Sequence, residues 1–439
     1  MKKNISVLLL LALTCPAPLL AQSDSVVVKK TVMQKVLSRL SVGGYGEVAL
    51  TENFFSDNMY RYSNAAAHKG ERHGRVDIPH AVVYLGYDFG RGWSMQTEIE
   101  FEHTGTGAAV EREFEEAGEW ESEVEKGGEV ELEQFWIQKS FFPQLNVRMG
   151  HIVVPVGGLN NAHEPLNFFT VYRPEGEYNI LPSTWHDTGI SIWGETPLWN
   201  AESSLRYEVL AIPALDAYMF DRDHFIKYGA SSPFEFRVSN KWGGAARLDF
   251  KPVKSLRLSL SGYYGQGMGN TYPYEQLSGE YNVKGHTVFG AFDFLYKSPK
   301  GNIIARGNAD YGYLSDAAVI SKRKRNLSSN NAPYRKSAVG QNAVAAGFEI
   351  GGNVLYSRKH PDDKLFIFGR YEYYDTYLPA SGQLEYGYTG KHRIALGLNW
   401  FPIPQIAVKA EYSHRFFSSE YNNEPSISIG VAYMAYFKK

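Results

Sequence analysis

The stretch Trp93-Ser94-Met95-Gln96-Thr97-Glu98-Ile99-Glu100-Phe101-Glu102-His103-Thr104 alternates residue by residue. Trp93, Met95, Thr97, Ile99, Phe101 and His103 fall on one side; Ser94, Gln96, Glu98, Glu100, Glu102 and Thr104 fall on the other. Successive side chains of an extended chain point to opposite faces, so this period of two predicts a strand with one mostly apolar and one almost wholly polar face. A soluble sandwich accommodates one such strand. It does not accommodate many whose polar faces are this charged, because its interior must be apolar.

The pattern recurs along the chain. Leu256, Leu258 and Leu260 oppose Arg257, Ser259 and Ser261, and Ile406, Val408, Ala410 and Tyr412 oppose Lys409, Glu411, Ser413 and Arg415. Near the C-terminus Ile427, Ile429, Val431, Tyr433, Ala435 and Phe437 share one face. Apolar faces that recur opposite charge have lipid to meet, and the charged faces then line a wet lumen, which is the alternation of a transmembrane antiparallel β-barrel.

Connections give the strand count. Tight breaks carrying Pro or Gly stand at 89–92, 143–144, 196–199, 251–254, 298–301, 359–362 and 401–404. Between them lie pairs of strand-like runs separated by longer stretches at roughly 51–74, 105–128, 155–186, 213–239, 266–283, 315–340, 378–390 and 417–424. Eight long loops and seven short turns join sixteen strands. The even count places both termini in the periplasm, where bacterial barrels keep their short turns.

The ends and the composition agree with export to an outer membrane. Lys2 and Lys3 precede an apolar run, Ile5 to Leu13, and a small-residue exit at Ala21, so residues 1–21 read as a signal peptide. The lone cysteine, Cys15, lies inside this leader, and Ala12, Leu13 and Thr14 before it make a poor lipoprotein box. Residues 22–40 read as a short periplasmic segment, helix-compatible from Val26 with Val32, Val36, Leu37 and Leu40 on one side, and 41–439 as the barrel. Beyond the leader no apolar stretch approaches the roughly 18–20 residues of a membrane helix. Tyr (30), Phe (25) and Gly (42) are abundant, as aromatic girdles and a wet interior require. A formal net charge of −2 gives no bulk attraction to nucleic acid.

Through Glu98-Ile99-Glu100-Phe101-Glu102-His103, Glu133-Gln134-Phe135-Trp136-Ile137 and Gly150-His151-Ile152-Val153-Val154-Pro155-Val156-Gly157, the chain resembles the phosphate-selective porin O and P family in a form common in Bacteroidetes. The resemblance implies a sixteen-stranded, usually trimeric porin whose constriction is an external loop folded into the lumen. The segment Gly157 to Asp187 sits where that loop belongs. The family's phosphate channels carry an arginine ladder and a lysine cluster, and neither matches this sequence residue by residue.

Candidate site residues follow from the projection. Inward positions give the cations Arg148, Arg206, Arg247, Arg257, Arg306, Arg370, Arg393, Lys409 and Arg415, and acids that include Glu98, Glu100 and Glu102. Three readings stay open: paired charge that keeps the lumen wet, anion preference, or cation preference. In the constriction segment Asn160, Asn161, His163, Arg173, Tyr178 and His186 carry the chemistry, and prolines at 165, 174 and 182 stiffen the backbone. The glutamate run within 111–129 and the basic block Lys322-Arg323-Lys324-Arg325 read as solvated loop charge, with metal ions or lipopolysaccharide phosphates as the functional alternative. His163-Glu164 and His186-Asp187 do not extend to a zinc-protease motif, and Gly265, Gly267 and Gly269 make no nucleotide fingerprint, so no catalysis, cofactor or metal is expected. The expected function is an outer-membrane porin for passive diffusion of small hydrophilic solutes, anions such as phosphate among them. The alternative is a structural or adhesive barrel with little conductance. Expected partners are the solutes, outer-membrane lipid with its lipopolysaccharide, and two further copies of the chain.

Overall fold

The computed structural model describes residues 33–438 apart from 59, 104–107, 115–119, 127–128, 183, 232–235, 272–282, 327–336 and 357–362. The signal-peptide reading of residues 1–21 and the turn at 359–362 lie outside these. A short helix at 33–39 leads into the first strand.

The strands are β1 (Leu40–Asn53), β2 (His73–Asp77), β3 (His80–Gly90), β4 (Trp93–Glu102), β5 (Ala108–Phe114), β6 (Trp120–Lys126), β7 (Glu129–Phe142), β8 (Leu145–Val153) and β9 (His186–Pro197). Then follow β10 (Ser204–Pro213), β11 (Trp242–Val253), β12 (Leu256–Gln266), β13 (His286–Lys297) and β14 (Ile303–Leu314). The last are β15 (Asn342–Asn353), β16 (Lys364–Leu378), β17 (Gly390–Ile403), β18 (Ile406–Phe416) and β19 (Glu424–Lys438). All but β5 and β6 belong to one antiparallel sheet, which closes where β1 pairs with β19. β2 and β3 are two parts of one wall strand, since both pair with β1. Pro79, which has no N–H for the ladder, stands in the break between them. The wall therefore has sixteen strands, as the alternation and turns predict.

The barrel is apolar outside and charged inside. Leu260, Phe292, Phe348, Ile367, Leu396 and Ile429 are exposed on the outer face, while Glu98, Asp293, Glu349, Glu372, Arg393, Lys409 and Glu411 are buried on the inner one. Burial thus follows the lumen, and the outer face supplies the apolar band a bilayer needs. Among the described residues the short turns fall where expected. Between β3 and β4, Gly90 (φ 83°), Arg91 (φ 56°) and Gly92 (φ 78°) sit in the left-handed region, a conformation glycine adopts without steric cost.

Three long loops differ from their expected form. The glutamate run is no simple loop: β5 and β6 pair as a hairpin in which Glu111 lies opposite Glu123 and Glu113 opposite Glu121. The basic block ends a helix, Ala317–Arg325, in which Lys324 is fully buried and donates to the Phe220 carbonyl, so the block is not wholly solvated. The connection from β10 to β11 turns inward. Its Leu215, Tyr218, Phe220, Phe225 and Ile226 join Trp185, Tyr263, Phe289, Leu314 and Ile320 in one apolar cluster. These side chains cannot remain in water at the mouth of a barrel, and the inner wall of β10 to β16 near its long-loop end is where they escape it.

Candidate pore constriction

The connection from β8 to β9 crosses the lumen, and the wall holds it by its backbone. Lys409 of β18 donates to three carbonyls, of Pro165 at 2.5 Å, Thr170 at 2.9 Å and Phe168 at 3.0 Å. Glu349 of β15 accepts the Phe169 N–H at 3.2 Å, Glu411 of β18 the Val171 N–H at 2.7 Å, and Glu372 of β16 the Gly176 N–H at 3.2 Å. Arg247 of β11 donates to the Gly157 carbonyl at 3.0 Å, and Ser261 of β12 accepts the Gly157 N–H at 3.0 Å. Gly157 itself has φ 83°, and a Cβ there would run into the Glu177 carboxylate. A loop whose N–H and C=O groups are buried needs partners of this kind, and inward charges supply them.

The expected constriction residues divide by role. Asn160 is wholly buried and closes the loop on itself, donating to the Val154 and Trp185 carbonyls (2.7 and 3.1 Å) and accepting the Trp185 N–H at 2.6 Å. Asn161 donates to the Gly157 carbonyl at 2.8 Å. His163 is buried, with Nδ1 3.0 Å from the Asn160 carbonyl, and His186 opens β9 beside Glu133. Arg173 and Tyr178 face a cavity, and Lys227 stands 3.3 Å over the Tyr178 ring.

That cavity, of about 470 Å³, lies on the long-loop side of the crossing segment. Six basic side chains (Arg61, Arg75, Arg173, Lys391, Arg393 and Arg415) and six acidic ones (Glu47, Asp77, Glu102, Glu175, Glu411 and Glu424) line it. Two more lie on the short-turn side. One of about 350 Å³ has Arg257, Lys297, Arg306 and Arg370 against Glu177 and Asp293; the other, of about 230 Å³, has Arg148 and Arg206 against Glu164 and Glu208. The segment thus stands between a nearly neutral vestibule and a more basic inner chamber.

Most lumen cations are paired. Arg393 meets Glu372 at 2.8 Å, Glu175 at 3.1 Å and Glu411, while Arg415 meets Glu175 at 2.7 Å and Glu424 at 3.0 Å. Arg370 meets Glu372 at 2.9 Å, Arg306 meets Glu349 at 3.0 Å, and Arg247 meets Asp249 and Asp293, each at 2.9 Å. Arg257 lies 3.4 Å from Asp293, and Arg206 lies 3.1 Å from Glu208. Arg148 sits over Trp136 at 4.6 Å, with Glu208 at 4.0 Å. Among the described residues no carboxylate lies within ion-pair distance of Arg173, whose Nε donates to the His163 carbonyl at 3.4 Å. Of the expected acids, Glu100 pairs with His80 at 2.6 Å, Glu98 accepts from Gln134, and Glu102 lines the vestibule.

Two carboxyls of the crossing segment titrate far from their ordinary range in opposite directions. Burial acts to raise Glu175, but Arg415 and Arg393 outweigh it and hold this carboxyl well below the usual range. Burial, with the nearby Asp293 carboxylate, pushes Glu177 up to about 7 against the N–H groups of Leu159 and Asn160. Glu349, Asp293, Glu175 and Glu177, which hold or belong to the crossing segment, are not singled out from the sequence. For Glu349 and Asp293 the signal is present, since each stands between two outward apolar residues, Phe348 and Ile350 or Phe292 and Phe294.

No family model matches the chain. It is 26% identical over 406 residues to an uncharacterised protein of Aquifex aeolicus (strain VF5), covering 89% of this chain and 79% of that one. Among solved structures it is similar to the anion-selective porin from Comamonas acidovorans, with a TM-score of 0.50 at 8% identity over 90% of this chain and 99% of that one. It is likewise similar to Salmonella typhi OmpF in complex with daunomycin, with a TM-score of 0.50 at 10% identity over 91% and 98%. At such identities the likeness is one of fold, and the fold is a closed sixteen-strand porin-like barrel.

Proposed function

We propose that the chain is an outer-membrane diffusion channel for small hydrophilic solutes, narrowed by the segment between β8 and β9 and weakly anion-preferring. The observation that carries this reading is the run of polar cavities on both sides of that segment, lined by charges that nearly cancel. A balanced wall keeps a pore wet without a strong field for either sign, and the surplus of cations in the inner chamber leaves a small bias toward anions. The pairing of the strand arginines argues against a steep phosphate ladder. Export through a leader at 1–21, periplasmic termini, trimer assembly and contact with lipopolysaccharide belong to the same reading and rest on the sequence alone.

Reversal potential in a salt gradient tests it. A value slightly on the anion side is expected, and it should move with pH. Below about 7 Glu177 is neutral and the inner chamber is at its most positive; above it the added negative charge reduces the bias. Anion preference is therefore expected to fall as pH rises through neutrality in the wild type and to fall less over that interval in Glu177→Gln. A strongly cation-selective current at every pH would contradict the reading.

A second reading, a structural barrel with little conductance, is favoured by one observation: the apolar cluster that fills the β10 to β16 side of the mouth. Conductance separates the two.

A further inference from the structure

Four side chains from four elements converge where the crossing segment meets the wall. Glu98 comes from β4, Glu133 from β7, His163 from the segment itself, and His186 from the start of β9. They are 0%, 3%, 4% and 9% exposed. One ligand atom each of Glu98, Glu133 and His163 lie within 4.8 Å of one another. The His186 ring is 6.0 Å from that of His163, and its Nδ1 is 3.6 Å from a Glu133 oxygen.

What distinguishes this cluster from ordinary lumen charge is which atoms are already engaged. Gln134 donates to Glu98 Oε2, and Thr184 donates to Glu133 Oε1 at 2.5 Å. His163 Nδ1 is 3.0 Å from the Asn160 carbonyl, which fixes the proton on Nδ1 and leaves Nε2 a lone pair. The Tyr84 hydroxyl also approaches Glu98 and the Glu100 carboxyl approaches Glu133, and Glu98 Oε1, Glu133 Oε2, His163 Nε2 and His186 Nε2 have no hydrogen bond of good geometry among the described residues. Buried polar atoms are almost always satisfied, and two carboxylates facing each other need either a shared proton or a cation between them. The outer atoms held by amide, hydroxyl and carbonyl groups are the arrangement that orients metal ligands.

We propose that Glu98, Glu133 and His163, with His186 as the fourth ligand, bind one divalent cation of the Zn²⁺ and Co²⁺ class, tying the constriction segment to the barrel wall. Two imidazole nitrogens and two carboxylate oxygens suit such ions, whereas Ca²⁺ and Mg²⁺ favour all-oxygen sets. Ligand atoms around a tetrahedral Zn²⁺ stand about 3.3 Å apart, so Glu98, Glu133 and His163 must close by up to about 1.5 Å through rotation of the two long glutamate side chains, and the His186 ring must turn toward them as well. The neighbouring trio His80, Glu100 and Glu102 is a different case, because His80 is already paired with Glu100 at 2.6 Å. No local spacing announces the site, since its ligands lie on four separate stretches of chain.

The test uses the purified full-length barrel, folded in detergent, stripped with chelator and titrated with Co²⁺. One Co²⁺ per chain is expected, with the visible absorption of low-coordinate Co²⁺, displaced by Zn²⁺ and not by excess Ca²⁺. His163→Ala and Glu133→Gln, each checked for the heat-modifiable folded band, should weaken binding at least tenfold, and Glu133→Gln does so without changing side-chain volume. Zn²⁺ should also steady single-channel current in the wild type and leave His163→Ala unaffected. Folded wild type that takes up no Co²⁺ would mean that Glu98 and Glu133 merely share a proton, and would overturn the proposal. Binding unchanged in both variants would overturn it too, by placing the ion elsewhere.

Discussion

Lys409→Met is expected to release the constriction segment while leaving the barrel closed. The ammonium is almost fully buried, sits 4.4 Å over the Phe168 ring and donates to the Pro165, Phe168 and Thr170 carbonyls. Methionine keeps the unbranched apolar stem, one atom shorter, and loses every donor. Each orphaned carbonyl costs roughly 1–3 kcal/mol where lumen water does not reach it. Hydrogen exchange reads this directly: the Phe169 and Val171 amides, now held by Glu349 and Glu411, should exchange at least about a hundredfold faster. Single-channel steps should become larger and noisier. Unchanged exchange at both amides would show that the segment is held by its own packing, with Phe169 against Phe366 and Phe368 the main candidate.

Arg393→Met is expected to cost more in overall stability. This guanidinium joins Glu175 of the crossing segment to Glu372 of β16 and Glu411 of β18, and all four side chains are at most 15% exposed. Removing one member of a buried ion cluster leaves its partners uncompensated, at about 3–5 kcal/mol. The remaining cations soften the loss, since Glu372 keeps Arg370 and Glu175 keeps Arg415. Urea unfolding of the barrel in lipid vesicles should show a lowered midpoint, with Arg393→Lys in between, because lysine restores the charge without the planar fork. A midpoint equal to wild type would mean that lumen water screens the cluster.

Alternation along single strands is a local property, and so the wall was legible in the sequence. Trp93 to Glu102 reads correctly without knowledge of its neighbours, and Pro and Gly mark the turns for equally local reasons. That the segment after β8 folds inward against the wall was legible too, from the resemblance and from its three prolines. What each inward charge touches was not. The contacts from Lys409 to Pro165 and from Glu411 to Val171 span 244 and 240 residues of chain, and alternation places a side chain inside without naming its partner. The inward fold of the β10 to β11 connection was missed because its apolar residues, Leu215, Phe220, Phe225 and Ile226, are scattered among polar ones and follow neither period. A run of four basic residues conceals that a helix turns one of them, Lys324, inward.

The central claim, an open water-filled path past the crossing segment, is tested most directly by single-channel recording of the purified protein in a planar lipid bilayer. The expected result is stable ion-conducting steps whose reversal potential in a salt gradient lies slightly on the anion side. A folded, heat-modifiable barrel that inserts into the bilayer and gives no steps would contradict it, and would identify the apolar cluster and the constriction segment together as a plug.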